Sequence, residues 1–114
     1  MAKILIKAAE VEMTAALNDT STAQKILAAL PFESTARLWG KEVYFGIPVH
    51  AEEEDAQARV PSGTVAFWPP GDCLCIFFGQ TPASPVNVVG QLDGEPNEFA
   101  KVASGATIRV TRAD

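Results

Sequence analysis

The stretch that most constrains the fold of this chain is Gly63–Thr81, GTVAFWPPGDCLCIFFGQT, its most apolar and most aromatic run. A Pro-Pro-Gly-Asp sequence interrupts the run once, and these residue types favour a turn. The run therefore predicts two buried strands, Thr64–Trp68 and Cys73–Phe78, which flank a turn at Pro69–Asp72. Both faces of the second strand are apolar, so one face must fill a core while the other is covered or lines a pocket.

The remaining strands are predicted from alternation of apolar and polar residues, which is typical of strands with one buried face. The first two alternating runs are separated by only two residues, which indicates an antiparallel hairpin. Six strands are predicted in this way: Lys3–Ala8, Val11–Leu17, Phe32–Leu38, Glu42–Val49, Val86–Leu92 and Thr107–Thr111.

Two short helices are predicted between these strands. Ser21 and Gln24 form a capping box, in which the Ser21 hydroxyl accepts from the Gln24 amide, and an apolar stripe with helical spacing follows. This predicts a helix at Thr22–Leu30, and Pro96 in the first helical position predicts a second at Pro96–Ala103. Eight strands can close into a barrel that side chains fill. We therefore expect a mainly β protein, a closed eight-stranded barrel with two short helices; an open sandwich is the alternative.

Length and charge exclude several classes of protein. A chain of 114 residues predicts one domain, 1–114. The net charge of −5 and the scattered lysines and arginines argue against a nucleic-acid partner. No apolar run reaches the roughly 20 residues that span a bilayer, and the first apolar run is too short for a signal peptide. We expect a cytoplasmic protein, a monomer or a homodimer, that does not bind membranes.

The cysteines and the acidic run can each be interpreted as a functional site or as an ordinary structural feature. Cys73 and Cys75 lie two residues apart, so a disulfide between them would be strained, and His50 is the only histidine that could help to ligate a metal. We interpret the cysteines as small buried apolar residues in a reducing compartment and expect no metal or cofactor. The run Glu52–Asp55 predicts a solvated, mobile loop, and a cation site is the alternative.

The motifs of the central stretch and its flanks resemble one small family. GTVAFWPPGDCLCIFFG, with LPFESTARLWGKEVYFGIPV before it and SPVNVVGQLDG after it, is similar to the cyclophilin-like domain proteins of bacteria and archaea. The resemblance covers nearly the whole chain and implies a closed eight-stranded barrel with two capping helices. Relatives often carry an insertion where this chain has only the short loop Thr81–Pro85, so a pocket wall supplied by that loop is shortened here.

True cyclophilins are peptidyl-prolyl isomerases, and the resemblance carries their residues over only in part. They bind proline in an aromatic pocket on the outer face of the barrel, beside an arginine that donates to the prolyl amide. Phe77-Phe78 matches a cyclophilin Phe-Phe pair, and Arg37 lies in the strand expected for the arginine. The pocket histidine has no counterpart, because Pro85-Val86-Asn87 stands in its place, and the pocket glutamine has no match.

Four residues are candidates for a site, and each also has a structural interpretation. Arg37 is either a catalytic donor or an exposed residue paired with Glu33. Tyr44 and Trp68 are either ligand-binding aromatics or packing residues, and Phe78 is expected to line the ligand groove while Phe77 fills the barrel.

Three functions follow from these candidates. The first is a noncatalytic domain that binds a peptide or a small molecule. The second is an atypical prolyl isomerase that uses Arg37. The third is a subunit of an amide-hydrolysing complex, in which cyclophilin-like barrels also occur. We rank binding first, because a fold does not carry a function by itself.

Overall fold

The chain forms one antiparallel sheet in the computed structural model, which describes residues 2–79 and 84–114. Within these ranges the sheet has nine strands in the order β3-β9-β1-β2-β8-β6-β7-β5-β4. The strands are β1 Lys3–Ala8, β2 Val11–Leu17, β3 Phe32–Thr35, β4 Arg37–Trp39, β5 Glu42–Gly46, β6 Thr64–Trp68, β7 Cys73–Phe77, β8 Asn87–Leu92 and β9 Thr107–Arg112. The predicted hairpin of the first two strands is confirmed.

The two end strands of the sheet, β3 and β4, are consecutive in the chain, so the sheet is a nearly closed barrel. The single strand predicted at Phe32–Leu38 is divided at Ala36, which gives nine strands instead of the expected eight. Ala36 leaves the ladder because its N–H donates to Ala106 O at 2.8 Å and its carbonyl accepts from Gly105 N at 2.8 Å. The segment before Ala36 pairs with β9, and the segment after it pairs with β5.

The core of the barrel is built from alternate residues of the strands, among which Phe45 and Phe67 are the largest side chains of the sheet. On β7 and just beyond it, Leu74, Ile76 and Phe78 belong to this core. Cys75 and Phe77 lie on the opposite face, in a second buried cluster. Phe77 is fully buried, as predicted, but the predicted assignment of the two faces was wrong: Phe78 faces the interior and Phe77 lies on the outer face.

The first helix, α1, spans Ser21–Ala29, and its N-cap is Thr20. The Thr20 hydroxyl accepts from Ala23 N at 3.2 Å, while the Gln24 side chain donates to Asp19 O at 3.1 Å. The predicted capping box at Ser21 was therefore wrong by one residue. The second predicted helix is present as a 3₁₀ helix at Pro96–Lys101, and the predicted Pro-Pro-Gly turn is a 3₁₀ turn at Pro69–Gly71.

The acidic run contains one residue that is tied to α1. The Glu54 carboxylate accepts from Thr22 N at 2.9 Å and from Thr22 Oγ1 at 2.7 Å, and it also accepts from the N–H and hydroxyl of Ser21. These bonds lower the pKa of Glu54 to about 2. Glu52 and Glu53 are exposed, as expected of a solvated loop, but Glu54 fastens the loop to the start of the helix.

The described residues lack the features of two other kinds of site. They contain no group of three or more His, Cys, Asp and Glu side chains placed to hold a metal ion. None of their helices has the length and apolar character needed to cross a membrane.

Candidate functional site

A cavity of about 180 Å³ lies on the outer face of the barrel, over β5, β6 and β7. Its lining is mainly aromatic and apolar, with one acidic side chain. The described residues that line it are Trp39, Glu42, Tyr44, Trp68, Cys75, Ser84 and Val86.

The register of three strands brings these side chains together. Residues paired directly across an antiparallel sheet present their side chains on the same face. Trp39 on β4 pairs with Glu42 on β5, and Tyr44 pairs with Cys75 on β7. Glu42 and Tyr44 are two residues apart on β5 and therefore also share a face. The lining of the cavity is thus a direct result of the strand order β7-β5-β4.

Trp68 is fixed at the opposite side of the cavity by two contacts. Its indole Nε1–H donates to Ser84 Oγ, which joins the end of β6 to the segment before β8. Its ring packs on the 3₁₀ turn at Gly71, where a Cβ atom would collide with the six-membered ring. Glycine at this position is therefore required for the ring to lie where it does.

Glu42 is the buried carboxyl group of the cavity, with 7% of its surface exposed. Burial raises the pKa of Glu42, because desolvation disfavours the charged form, and a hydrogen bond with the Cys75 thiol opposes this in part. The pKa of Cys75 is raised strongly, first by its own burial and then by the Glu42 charge. Cys75 is therefore a protonated thiol at neutral pH and not a nucleophile.

The back of the cavity is the second buried cluster, which contains Val60, Ala66, Cys75, Phe77 and Val86. Val86 is held by Gln57, since the two residues exchange backbone hydrogen bonds of 2.8 and 3.0 Å. The long loop that follows β5 therefore supports the wall through its pairing with Val86, and the position of Val86 depends on it.

The structure brings together two of the four predicted site residues. Tyr44 and Trp68 both line the cavity. Phe78 lies in the barrel core, because the two faces of β7 are the reverse of those predicted. Arg37 is exposed on β4 and pairs with Tyr44, but it is not among the described residues that line the cavity. Its predicted partner, Glu33, instead pairs with Arg109 at 3.1 Å.

Sequence reasoning missed Trp39 and Glu42. The Trp39-Gly40-Lys41 segment predicts a turn, whereas Trp39 is the last residue of β4 and is 47% exposed. Alternation along β5 predicts that Glu42 faces solvent, whereas it is buried in the wall of the cavity. The available signal was its spacing of two from Tyr44, which places it on the same face as a candidate pocket residue. Most of the loop Thr81–Pro85, through residue 83, lies outside the described residues.

Comparisons with known proteins agree with this architecture. A family model described as cyclophilin-like matches residues 2–111. The solution structure of the hypothetical protein AF2241 from Archaeoglobus fulgidus is similar, with 35% identity and a TM-score of 0.84 over 98% of this chain and 95% of that chain. McbB, solved in complex with tryptophan, shares the fold with 20% identity and a TM-score of 0.77, over 96% of this chain and 44% of that chain. No match was found among curated proteins.

Proposed function

The chain belongs to the cyclophilin-like family, and from that premise we propose that it is a noncatalytic binding protein for a small molecule or a short peptide. The observation that carries this proposal is the cavity lined by Trp39, Tyr44 and Trp68. Concave sites with aromatic walls and a small number of polar groups are the usual form of small-ligand sites. Trp68 is held in place by Ser84 and by the turn at Gly71, so the wall that it forms exists before a ligand arrives.

The polar group of the cavity supports binding over prolyl isomerisation. A cyclophilin-type site needs a donor aimed at the prolyl imide nitrogen, and losing one preorganised donor typically costs about 10²–10³ in rate. The buried acidic side chain of the lining is that of Glu42, which as a carboxylate can only accept. Arg37, the candidate donor, lies on the exposed strand β4 outside the lining.

The proposal includes the expected setting of the protein. Cys73 and Cys75 are free thiols, in agreement with a reducing compartment, and we place the protein in the cytosol as a monomer or a homodimer. McbB was solved in complex with tryptophan; its likeness to this chain extends to the fold, so the nature of the ligand here must come from the cavity itself.

The proposal can be tested by NMR titration with a short Xaa-Pro peptide and a set of small aromatic compounds. We expect shifts at the indole N–H signals of Trp39 and Trp68, and weaker binding in Trp39→Leu. Leu38→Ala is the matched control, because Leu38 is exposed on the same strand and does not line the cavity. A failure of every compound to shift the cavity signals would refute the proposal.

The same titration separates binding from catalysis. Exchange broadening of the peptide signals that is present in the wild type and lost in Arg37→Ala would overturn the noncatalytic proposal and make Arg37 the donor. Shifts without exchange, unchanged by Arg37→Ala, would support it.

A further inference from the structure

We infer that the group bound in this cavity is a small organic cation, an ammonium group with alkyl substituents, which contacts the rings of Trp39, Tyr44 and Trp68 and pairs with Glu42. This inference rests on the proposed function and identifies the class of its ligand.

The kinds of aromatic residue in the cavity favour a cationic ligand. The chain has two tryptophans, one tyrosine and six phenylalanines. Both tryptophans and the tyrosine line the cavity, and no phenylalanine does. The phenylalanines are buried in the two clusters, where they fill space. Indole is the aromatic ring that attracts a cation most strongly, and the face of a tyrosine ring also attracts one.

The buried carboxyl group beside these rings also favours a cationic ligand. The buried polar side chains of the described residues are Thr22, Glu42, Thr64 and Asn87, and Glu42 is the one that ionises. A buried carboxylate is costly unless a positive charge compensates it. The described residues of the lining include no lysine or arginine, and none of the described cationic side chains contributes to the shifted pKa of Glu42. A bound cation would provide the missing compensation.

The lining favours an organic cation over a metal ion. A metal ion requires several oxygen, nitrogen or sulfur ligands. The described lining of the cavity offers one carboxyl group, one protonated thiol and the hydroxyls of Tyr44 and Ser84, and the Ser84 oxygen already accepts from Trp68. Its walls are otherwise apolar or aromatic and suit the methyl or methylene groups of a substituted ammonium. The net charge of −5 further favours the approach of a cation.

The test uses choline and its uncharged carbon isostere, 3,3-dimethylbutan-1-ol, in NMR titrations of the full chain. The two probes have nearly the same shape, and choline keeps its charge at every pH. We expect choline to bind at least about tenfold more tightly than the isostere, because the neutral isostere gains no cation–π attraction from the rings. The shifts should map to Trp39, Tyr44 and Trp68.

Two variants assign the preference to Glu42. Glu42→Gln keeps the shape of the side chain, and we expect it to weaken choline binding about tenfold or more and to leave the isostere unchanged. Glu10→Gln removes the same charge at the remote turn between β1 and β2, so choline binding should be unchanged. If Glu42→Gln does not fold, Trp39→Leu replaces it, because Trp39 is about half exposed (47%) and its loss disturbs the core less. Trp39→Leu should weaken the binding of choline more than that of the isostere.

A dependence on pH provides a second readout. Choline binding should strengthen as pH rises through the elevated pKa of Glu42, and this dependence should be absent in Glu42→Gln. Among the described residues, the other titratable or charged groups on this face of β4, β5 and β7 are Arg37, Tyr44, Cys73 and Cys75, and Lys41 precedes Glu42 in the chain. Burial raises the pKa of both thiols, so neither loses its proton in the acidic range of the titration.

The outcomes separate the two proposals. Equal binding of choline and the isostere, or choline binding that survives Glu42→Gln, would overturn the cation inference while the small-ligand cavity stands. If neither probe nor any neutral aromatic compound shifts the cavity signals, both proposals fail.

Discussion

Asn87→Ala should destabilise the protein by detaching the loop that backs the cavity. The Asn87 side chain is 1% exposed and joins three parts of the chain. Its Oδ1 accepts from Glu54 N at 2.8 Å, and its Nδ2 donates to Glu52 O at 2.9 Å and to Thr22 Oγ1 at 3.2 Å. Alanine removes all three hydrogen bonds together. A net contribution of about 1 kcal/mol for each bond predicts a loss of roughly 3 kcal/mol in the free energy of unfolding.

The assay is urea unfolding followed by tryptophan fluorescence, combined with hydrogen exchange of the Glu54 amide. We expect a lower midpoint with an unchanged slope, because the native fold is retained. The Glu54 amide should exchange faster, since it loses its acceptor. Asn97→Ala is the control: Asn97 is exposed on the 3₁₀ helix, and the change should stay within about 0.5 kcal/mol. A loss below about 1 kcal/mol together with unchanged exchange at Glu54 would show that Asn87 does not hold the loop.

Three further predictions concern the helix cap, the outer cluster and the acidic loop. Thr20→Ala should lower the free energy of unfolding in urea by about 1 kcal/mol, and Ser21→Ala clearly less, because Thr20 is the N-cap. A larger loss for Ser21→Ala than for Thr20→Ala would show that Ser21 is the N-cap, as the capping box predicts. Phe77→Ala should cost about 3–5 kcal/mol by the same assay, and a loss below about 2 kcal/mol would mean that the outer cluster adds little. The pKa of Glu54 is lowered from its ordinary 4.5 to about 2, so its stabilisation is complete above pH 4.5 and is lost as the pH falls towards about 2. Glu54→Gln should lack this loss, and parallel stability–pH curves for the two proteins would contradict the assignment.

The strands were predictable where one face of the sheet is polar. The bounds of β1 and β2 follow from alternation alone, because Lys3, Lys7 and Glu12 mark the solvent side. On β7 the pattern determines that both faces are buried, and it cannot determine which face points into the barrel. Phe77 and Phe78 were therefore assigned to the wrong faces. The orientation of β7 is set by its pairing with β5 and β6.

The candidate site was half predictable for a related reason. Tyr44 and Trp68 were recognisable as aromatics opposite a core face. The burial of Glu42 cannot be predicted from its neighbours in the sequence. Glu42 is surrounded by Cys75 on β7 and Trp39 on β4, and the local pattern of residues does not reveal which distant strands pair. Gly40 favours a turn, so the sequence predicts that Trp39 belongs to that turn. In the structure Trp39 is the last residue of β4.

The pairing of β1 with both β2 and β9 has a consequence for how the protein is made. Ile4 is paired on one side with Ala15, which is synthesised soon after it, and on the other side with Arg112. The hairpin can therefore form early on the ribosome, whereas one edge of β1 stays open until nearly all of the described chain has emerged. Charged side chains on an open edge discourage pairing with other chains, and β1 exposes Lys3 and Lys7. Lys3 and Lys7 therefore discourage aggregation of the nascent hairpin until β9 pairs with β1.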